Sequence, residues 1–437
     1  MKPKQPAPTI TPEFEKATYA KVTRRMIPFL FLCYILAYVD RVNVSFAKLQ
    51  MQQDLGMSDS VFGLGSGIFF LGYFLFEVPA NMFMQRIGAR LWLGPIMAVW
   101  GVVSAATMFV TGTTSFYIIR FVLGVVECGF FPGVILYLTY WYTRKHRARM
   151  VALFMTAIPI SGMIASPLSG WILDKMSGVG HLQAWQWLFL VEGIPSILMG
   201  LITLYYLTDG PSKAKWLSQD EKALIERRLQ EEEAVKKSEG EHRHRLVDAF
   251  KSGKVWLLCV VYFGMTMGNY GLGFWLPQMI KDTLTPEPFM IGLILVIPWT
   301  LAGIGMVLWA HHSDATGERR WHVAIAVMVA AVALSLSSIP GIPGLVGLAA
   351  LTAAVIGIMG ALATFWSLPT GILSGSAAAA GIAWINSVGN LGGYAGPYVM
   401  GLVKDATGSL TWALLTLSAA CLLSGIVVLT LAKPKKA

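Results

Sequence analysis

Apolar stretches recur along nearly the whole chain, each close to the ~20 residues an α-helix needs to cross a hydrocarbon core. They cover 27–48, 61–85, 91–111, 115–142, 150–173, 186–208, 255–281, 289–311, 321–339, 344–367, 377–403 and 410–432. The expected fold is therefore an all-α polytopic membrane protein with twelve transmembrane helices. Hydrophobic residues make up 55% of the 437 and charged ones only 13%, against roughly 25% charged in an ordinary soluble domain.

Lys and Arg positions predict orientation. Lys16, Lys21, Arg24 and Arg25 precede the first run, Arg86 and Arg90 follow the second, and Arg144, Lys145, Arg147 and Arg149 follow the fourth. Arg319 and Arg320 follow the eighth, and Lys433, Lys435 and Lys436 come last. On the opposite side 111–115 has no basic residue, and Lys281 and Lys404 stand alone. Both termini are expected in the cytoplasm, with the chain in a bacterial inner membrane. The polar segment before the first run, and that run's length, do not fit a cleavable export signal. Basic loops on one face account for the formal charge of +10 without any nucleic acid. Cys33, Cys128, Cys259 and Cys421 are scattered singly, which supports neither disulfides nor a metal site. His311, His312 and Asp314 read as a solvated helix end. With no phosphate loop or nucleophile constellation, neither an enzyme nor a cofactor is expected.

The runs divide six and six. Segment 1–26 is expected to be a cytoplasmic lead, 27–208 a first six-helix bundle, 209–254 a charged cytoplasmic linker, 255–432 a second bundle and 433–437 a tail. Within the linker, Ser218 and Glu221 form a capping-box pattern ahead of Leu224, Ile225 and Leu229, predicting a surface helix. Arg86-Ile-Gly88-Ala-Arg90 after the second run and Asp314-Ala-Thr-Gly317-Glu-Arg319 after the eighth repeat one pattern, a Gly two residues before an Arg. Such repeats predict a central cavity between two bundles that rock about it in alternating access.

Charges inside the apolar runs point to what the cavity handles, because ionisable groups persist in lipid mainly along substrate or proton pathways. Asp40, Arg41, Arg120 and Glu127 are such charges. Arg120, Gly124 and Glu127 share one helical face. Glu127 is the leading proton carrier, Arg120 the cation that tunes it, and Asp40 a second proton-coupling candidate. Arg41 cannot usefully lose its proton, so an anion must meet it. A substrate carboxylate clamped by the planar guanidinium is one answer; an acid on another helix is the other. A purely structural Arg120–Glu127 pair also stays open. Tyr73, Trp366, Ser367, Thr370, Asn386, Asn390 and Tyr394 are further substrate-binding candidates, the last three at i, i+4, i+8 on the eleventh run. Tyr270 and Trp275, near Pro277 and Gln278, are expected at a gate where the seventh helix can break. Trp185 and Trp187 read as interfacial anchors, and Glu77 and Glu192 as partners of loop arginines.

The two basic turns resemble the G-x-x-x-D-R-x-G-x-R loop signature of the major facilitator superfamily, with Asn81 and Ala310 for the leading Gly and Gln85 for the first Asp. Arg120-x-x-x-Gly124-x-x-Glu127 is similar to its fourth-helix motif. Tyr38-Val-Asp40-Arg41-Val-Asn43, Gly129-Phe-Phe-Pro132-Gly133, Trp185-Gln-Trp187-Leu-Phe-Leu-Val-Glu192-Gly193-Ile-Pro195 and Gly381-Ile-Ala-Trp384-Ile-Asn386-Ser387-Val-Gly-Asn390 resemble its anion:cation symporter family, which includes phthalate- and tartrate-type permeases. That resemblance implies the major facilitator fold and a substrate contact for Arg41. The expected function is import of an organic anion, a carboxylate such as the aromatic dicarboxylate phthalate, by proton symport. The expected partners are that substrate, protons and the lipid bilayer, with the chain working as a monomer. The alternative is a proton-coupled exporter, for which Gly162-x-x-x-Ser166-Pro167-x-x-Gly170 is a partial motif match.

Overall fold

In the computed structural model, residues 11–238, 252–372 and 376–431 are described, and their regular structure is helical. The first bundle comprises α1 (Pro12–Val42), α2 (Val44–Asp54), α3 (Asp59–Ile87), α4 (Ala89–Ala106), α5 (Thr113–Glu127), α6 (Phe130–Thr139), α7 (Arg144–Met155), α8 (Ala157–Lys175) and α9 (Ala184–Tyr206). After the surface helix α10 (Gln219–Ser238), the second comprises α11 (Gly253–Thr283), α12 (Pro288–Thr316), α13 (Arg320–Ser337), α14 (Gly344–Phe365), α15 (Ser367–Ile372), α16 (Ser376–Thr407) and α17 (Leu410–Thr430). Among the described residues, eleven spans are long and apolar enough to cross a membrane, counting α1–α2, α5–α6 and α14–α15 as single spans. The remaining helix, α16, runs for 32 residues. Helices are the form that satisfies every backbone amide where water is absent.

Local sequence explains where helices begin and break. α1 starts well before the first apolar run, because Thr11 accepts the Phe14 amide at 3.2 Å, a proline opens the first turn, and Glu13 and Glu15 complement its dipole. Three breaks lie near the residue four before a proline, where a carbonyl loses its donor. α5 ends at Glu127 ahead of Pro132, α7 at Met155 ahead of Pro159, and α14 at Phe365 ahead of Pro369. The expected capping box forms, with Ser218 N donating to Glu221 at 2.7 Å and Glu221 N to the Ser218 hydroxyl at 3.2 Å. The helix it starts is tied to α1 by Lys21–Glu221 and Arg228–Glu15 ion pairs of 2.8 and 2.6 Å. Both basic turns place their glycine at positive φ, 88° for Gly88 and 66° for Gly317, where a side chain would be strained.

Two antiparallel helix pairs join the bundles. Along α3 and α16, Asp59 lies by Gly401, Gly63 by Pro397 and Gly67 by Tyr394, so close that a Cβ on either α3 glycine would strike backbone. Along α8 and α12, Gly170 meets Pro288, Gly292 meets Ser166, and Gly162 meets Trp299. The partial exporter motif is thus spent on helix packing, in the manner of small-residue seams in lipid.

Both pairs tighten toward the face opposite the chain ends, the distal face. There Asp59 pairs with buried Lys48 at 2.9 Å and with Lys404 of the other bundle at 3.3 Å. Lys48 also rests on the Trp275 ring, 3.1 Å from its centre. Asp405 accepts the first two amides of α3, from Asp59 at 3.1 Å and Ser60 at 2.8 Å. Lys281 donates to the Leu49 carbonyl at 3.0 Å. On the other side of the midplane, Thr370 is exposed and Trp366, Ser367, Asn386 and Asn390 are half-buried. Among the described residues, these ionic and hydrogen-bonded contacts tie the two bundles together at the distal face.

Candidate functional site

Arg41 is the hub of the buried charge. It precedes the α1–α2 break by one residue, and Glu127 is the last residue of α5, so two helix interruptions meet in the first bundle. Discontinuous helices are a usual way to build polar sites at membrane depth. Arg41 Nε donates to Glu127 Oε1 at 2.8 Å, and Nη2 donates to the same oxygen. Nη1 donates across the bundle interface to the Tyr270 hydroxyl of α11 at 3.2 Å. Arg41 is 9% exposed and Glu127 1%, so little water screens the pair. Glu127 Oε2 accepts no hydrogen bond from the described residues. Tyr38, Phe69 and Tyr73 surround the guanidinium at 5.4–5.7 Å from their ring centres.

Arg120 also lies against Phe69, its guanidinium 5.2 Å from that ring. Its Nε and Nη2 have no hydrogen-bond partner among the described residues. The ion pair therefore joins Glu127 to Arg41 on another helix, and Arg120 acts on it only through space. Asp40 points the other way, into the first bundle. It accepts from Trp100 Nε1 at 3.1 Å, from the Ser104 hydroxyl at 2.8 Å and from the Ser196 hydroxyl.

The Major Facilitator Superfamily profile matches residues 30–397 and again 258–437. The chain belongs to that superfamily. This facilitator is 46% identical to a protein of Agrobacterium vitis described as "Putative tartrate transporter", over 97% of its own length and 93% of the relative's. It is 40% identical, over 93% of both chains, to a "Quinolone resistance transporter" of Acinetobacter baumannii. Its fold matches the crystal structure of a D-xylose-proton symporter with a TM-score of 0.76, covering 94% of this chain and 99% of that one at 16% identity. It is an integral membrane transporter, not an enzyme.

The facilitator's other candidates fall into separate groups. Tyr270 and Phe274 continue the aromatic wall from Phe70, whose ring centre is 4.2 Å from that of Tyr270. Trp275 is buried at the distal seam and donates to the Pro397 carbonyl at 3.3 Å. α11 runs unbroken through Pro277 in this conformation. Trp366 packs edge-on to Tyr262 at 4.8 Å. Ser367 and Thr370 donate back to carbonyls one turn earlier, at 2.6 and 3.2 Å. Asn386 reaches across to α3, whereas Tyr394 lies at its seam with α16 beside Tyr398, 6.0 Å between ring centres. Asn390 is half-buried on the same helix.

Three expectations need correction. Glu77 does not pair with a loop arginine: it is buried well inside α3 and accepts from Asn386 Nδ2 at 2.9 Å and the Ser387 hydroxyl at 3.4 Å. Arg90, at the nearby helix end, is bound instead to the Leu204 carbonyl and to Asp209, the latter at 3.6 Å. Glu192 likewise sits inside the first bundle and accepts from the Ser169 hydroxyl at 2.6 Å. Trp185 is no interfacial anchor, since it is buried and donates to Asp54 at 2.8 Å. Lys48 was not among the expected site residues, although it is a charge at the edge of an apolar run, the signal that marked Arg41.

Proposed function

We propose that this facilitator imports an organic carboxylate together with protons across a bacterial inner membrane, working as a monomer with both termini in the cytoplasm. Residues 27–208 and 255–432 rock as two bodies joined by 209–254, and we read the contacts that tie the distal face as its closed gate, which makes this conformation inward-facing. The observation that carries the reading is the ion pair of Arg41 with Glu127, linked onward to Tyr270 of the other bundle.

A substrate carboxylate and the Glu127 carboxylate need the same guanidinium. A proton on Glu127, taken up at the unbonded Oε2, removes the charge that holds Arg41. The freed guanidinium can then clamp the substrate through two parallel N–H···O bonds. Proton and anion favour one another's binding, and that coupling is reciprocal by linkage. Two ligands that bind together move together, which is symport. Arg120 biases Glu127 through space, Asp40 is a second proton site, and Tyr73, Trp366, Ser367, Thr370, Asn386, Asn390 and Tyr394 line the route. Tyr270 and Trp275 gate it, the first at Arg41 and the second at the distal seam.

The tartrate-transporter relative and the aromatic wall around Arg41 support a dicarboxylate, with tartrate and phthalate the first to test. The quinolone-resistance relative favours a second reading, export by proton antiport. Uptake of radiolabelled tartrate into proteoliposomes under an imposed inward proton gradient, with phthalate as competitor, separates them. Accumulation that collapses with a protonophore fits the importer; no anion uptake, with proton-driven quinolone efflux, fits the exporter.

A further inference from the structure

Glu77 is a buried carboxylate on the seam between the bundles. It is 7% exposed, and both its hydrogen-bond donors, Asn386 and Ser387, belong to α16 of the other bundle. The titratable groups that face it are Tyr73 from α3, Cys128 from the α5–α6 junction and Tyr262 from α11. None is a cation, and no described Lys, Arg or His forms an ion pair with it. Glu127, in contrast, has Arg41.

A carboxylate held in lipid by neutral donors alone is costly as an ion, and a proton removes that cost. The partner chemistry fits a group that changes state. The Asn386 amide can donate to a carboxylate through nitrogen or accept from a carboxylic acid through oxygen, and the Ser387 hydroxyl can do either. An arginine could serve only the charged form. Because the bond spans α3 and α16, taking or losing a proton there changes the contact between bundles. Left ionised, Glu77 would also repel an anion leaving Arg41 toward the open face.

We propose that Glu77 is a further proton-carrying residue of the transport cycle, so that each anion moves with one proton more than Glu127 and Asp40 would bring. This rests on the proton-symport reading above. The test is the reversal potential of tartrate flux in proteoliposomes, which gives the proton-to-anion coupling number. Glu77→Gln, which keeps a hydrogen-bonding side chain but cannot titrate, should lower that number by one; a merely structural role would change the flux rate and leave the number where it was. An equal coupling number in wild type and variant overturns the proposal. Wild type supplies a second check that needs no variant to fold: a coupling number of one overturns Glu77's role and leaves Glu127 standing, whereas flux indifferent to the proton gradient overturns the symport reading itself.

Discussion

Arg41 makes three hydrogen bonds to Glu127 and Tyr270 while almost wholly buried, and hydrogen bonds to charged groups contribute about 1.5–3 kcal/mol each. Arg41→Ala is therefore expected to lower anion uptake at least ~100-fold, an effect of about 3 kcal/mol; uptake near the wild-type rate would remove the clamp. Glu127→Gln keeps the shape but not the titration. It should lose gradient-driven accumulation of tartrate and keep anion exchange, which counterflow measures in preloaded vesicles. The four charges were legible one by one, because ionisable residues stand out in apolar runs. Their pairing was not. Helical periodicity tells which residues share a face of one helix, as Arg120 and Glu127 do, but Arg41 and Glu127 meet across α1 and α5, and only packing decides that. Glu77 was misjudged by its distance from a helix end, when the side it faces mattered more.

The helices themselves were mostly readable from apolar runs, basic turns and one capping box. Their interruptions were less so, because prolines 132, 159 and 369 break their helices while Pro277 and Pro298 are carried through. A proline leaves one carbonyl without its helical donor in every case, and the neighbouring helices determine whether the backbone parts there. The seams were hidden for a related reason: Gly63 and Gly67 make a close approach only because α16 is laid against them. Asp405 shows what such contacts hold. It accepts two amides at the start of α3 from the opposite bundle, and losing a cap of this kind costs about 1 kcal/mol. Asp405→Ala should thus shift the population toward the distally open state by about fivefold. Spin labels at Gln53→Cys and Thr407→Cys, both exposed on the distal face, would report it as a growing long-distance fraction, and an unaltered distribution would deny the seam that role.

At the scale of the molecule, the contacts that tie the distal seam fit one pose of the proposed rocking pair of bundles. Twelve apolar runs and one repeated turn were enough to predict two bundles, since hydrocarbon leaves the backbone few choices. The substrate's identity was beyond them, because the proposed clamp at Arg41 would read only a carboxylate and the aromatic wall suits rings and polar chains alike. The central claim is that anion and proton bind together, the substrate displacing Glu127 from Arg41 as Glu127 is protonated. Adding saturating tartrate to the purified transporter in weakly buffered solution tests it most directly. The account predicts proton uptake by the protein, seen as alkalinisation of the medium and lost in Glu127→Gln; proton release, or saturating binding with no pH change, would contradict it.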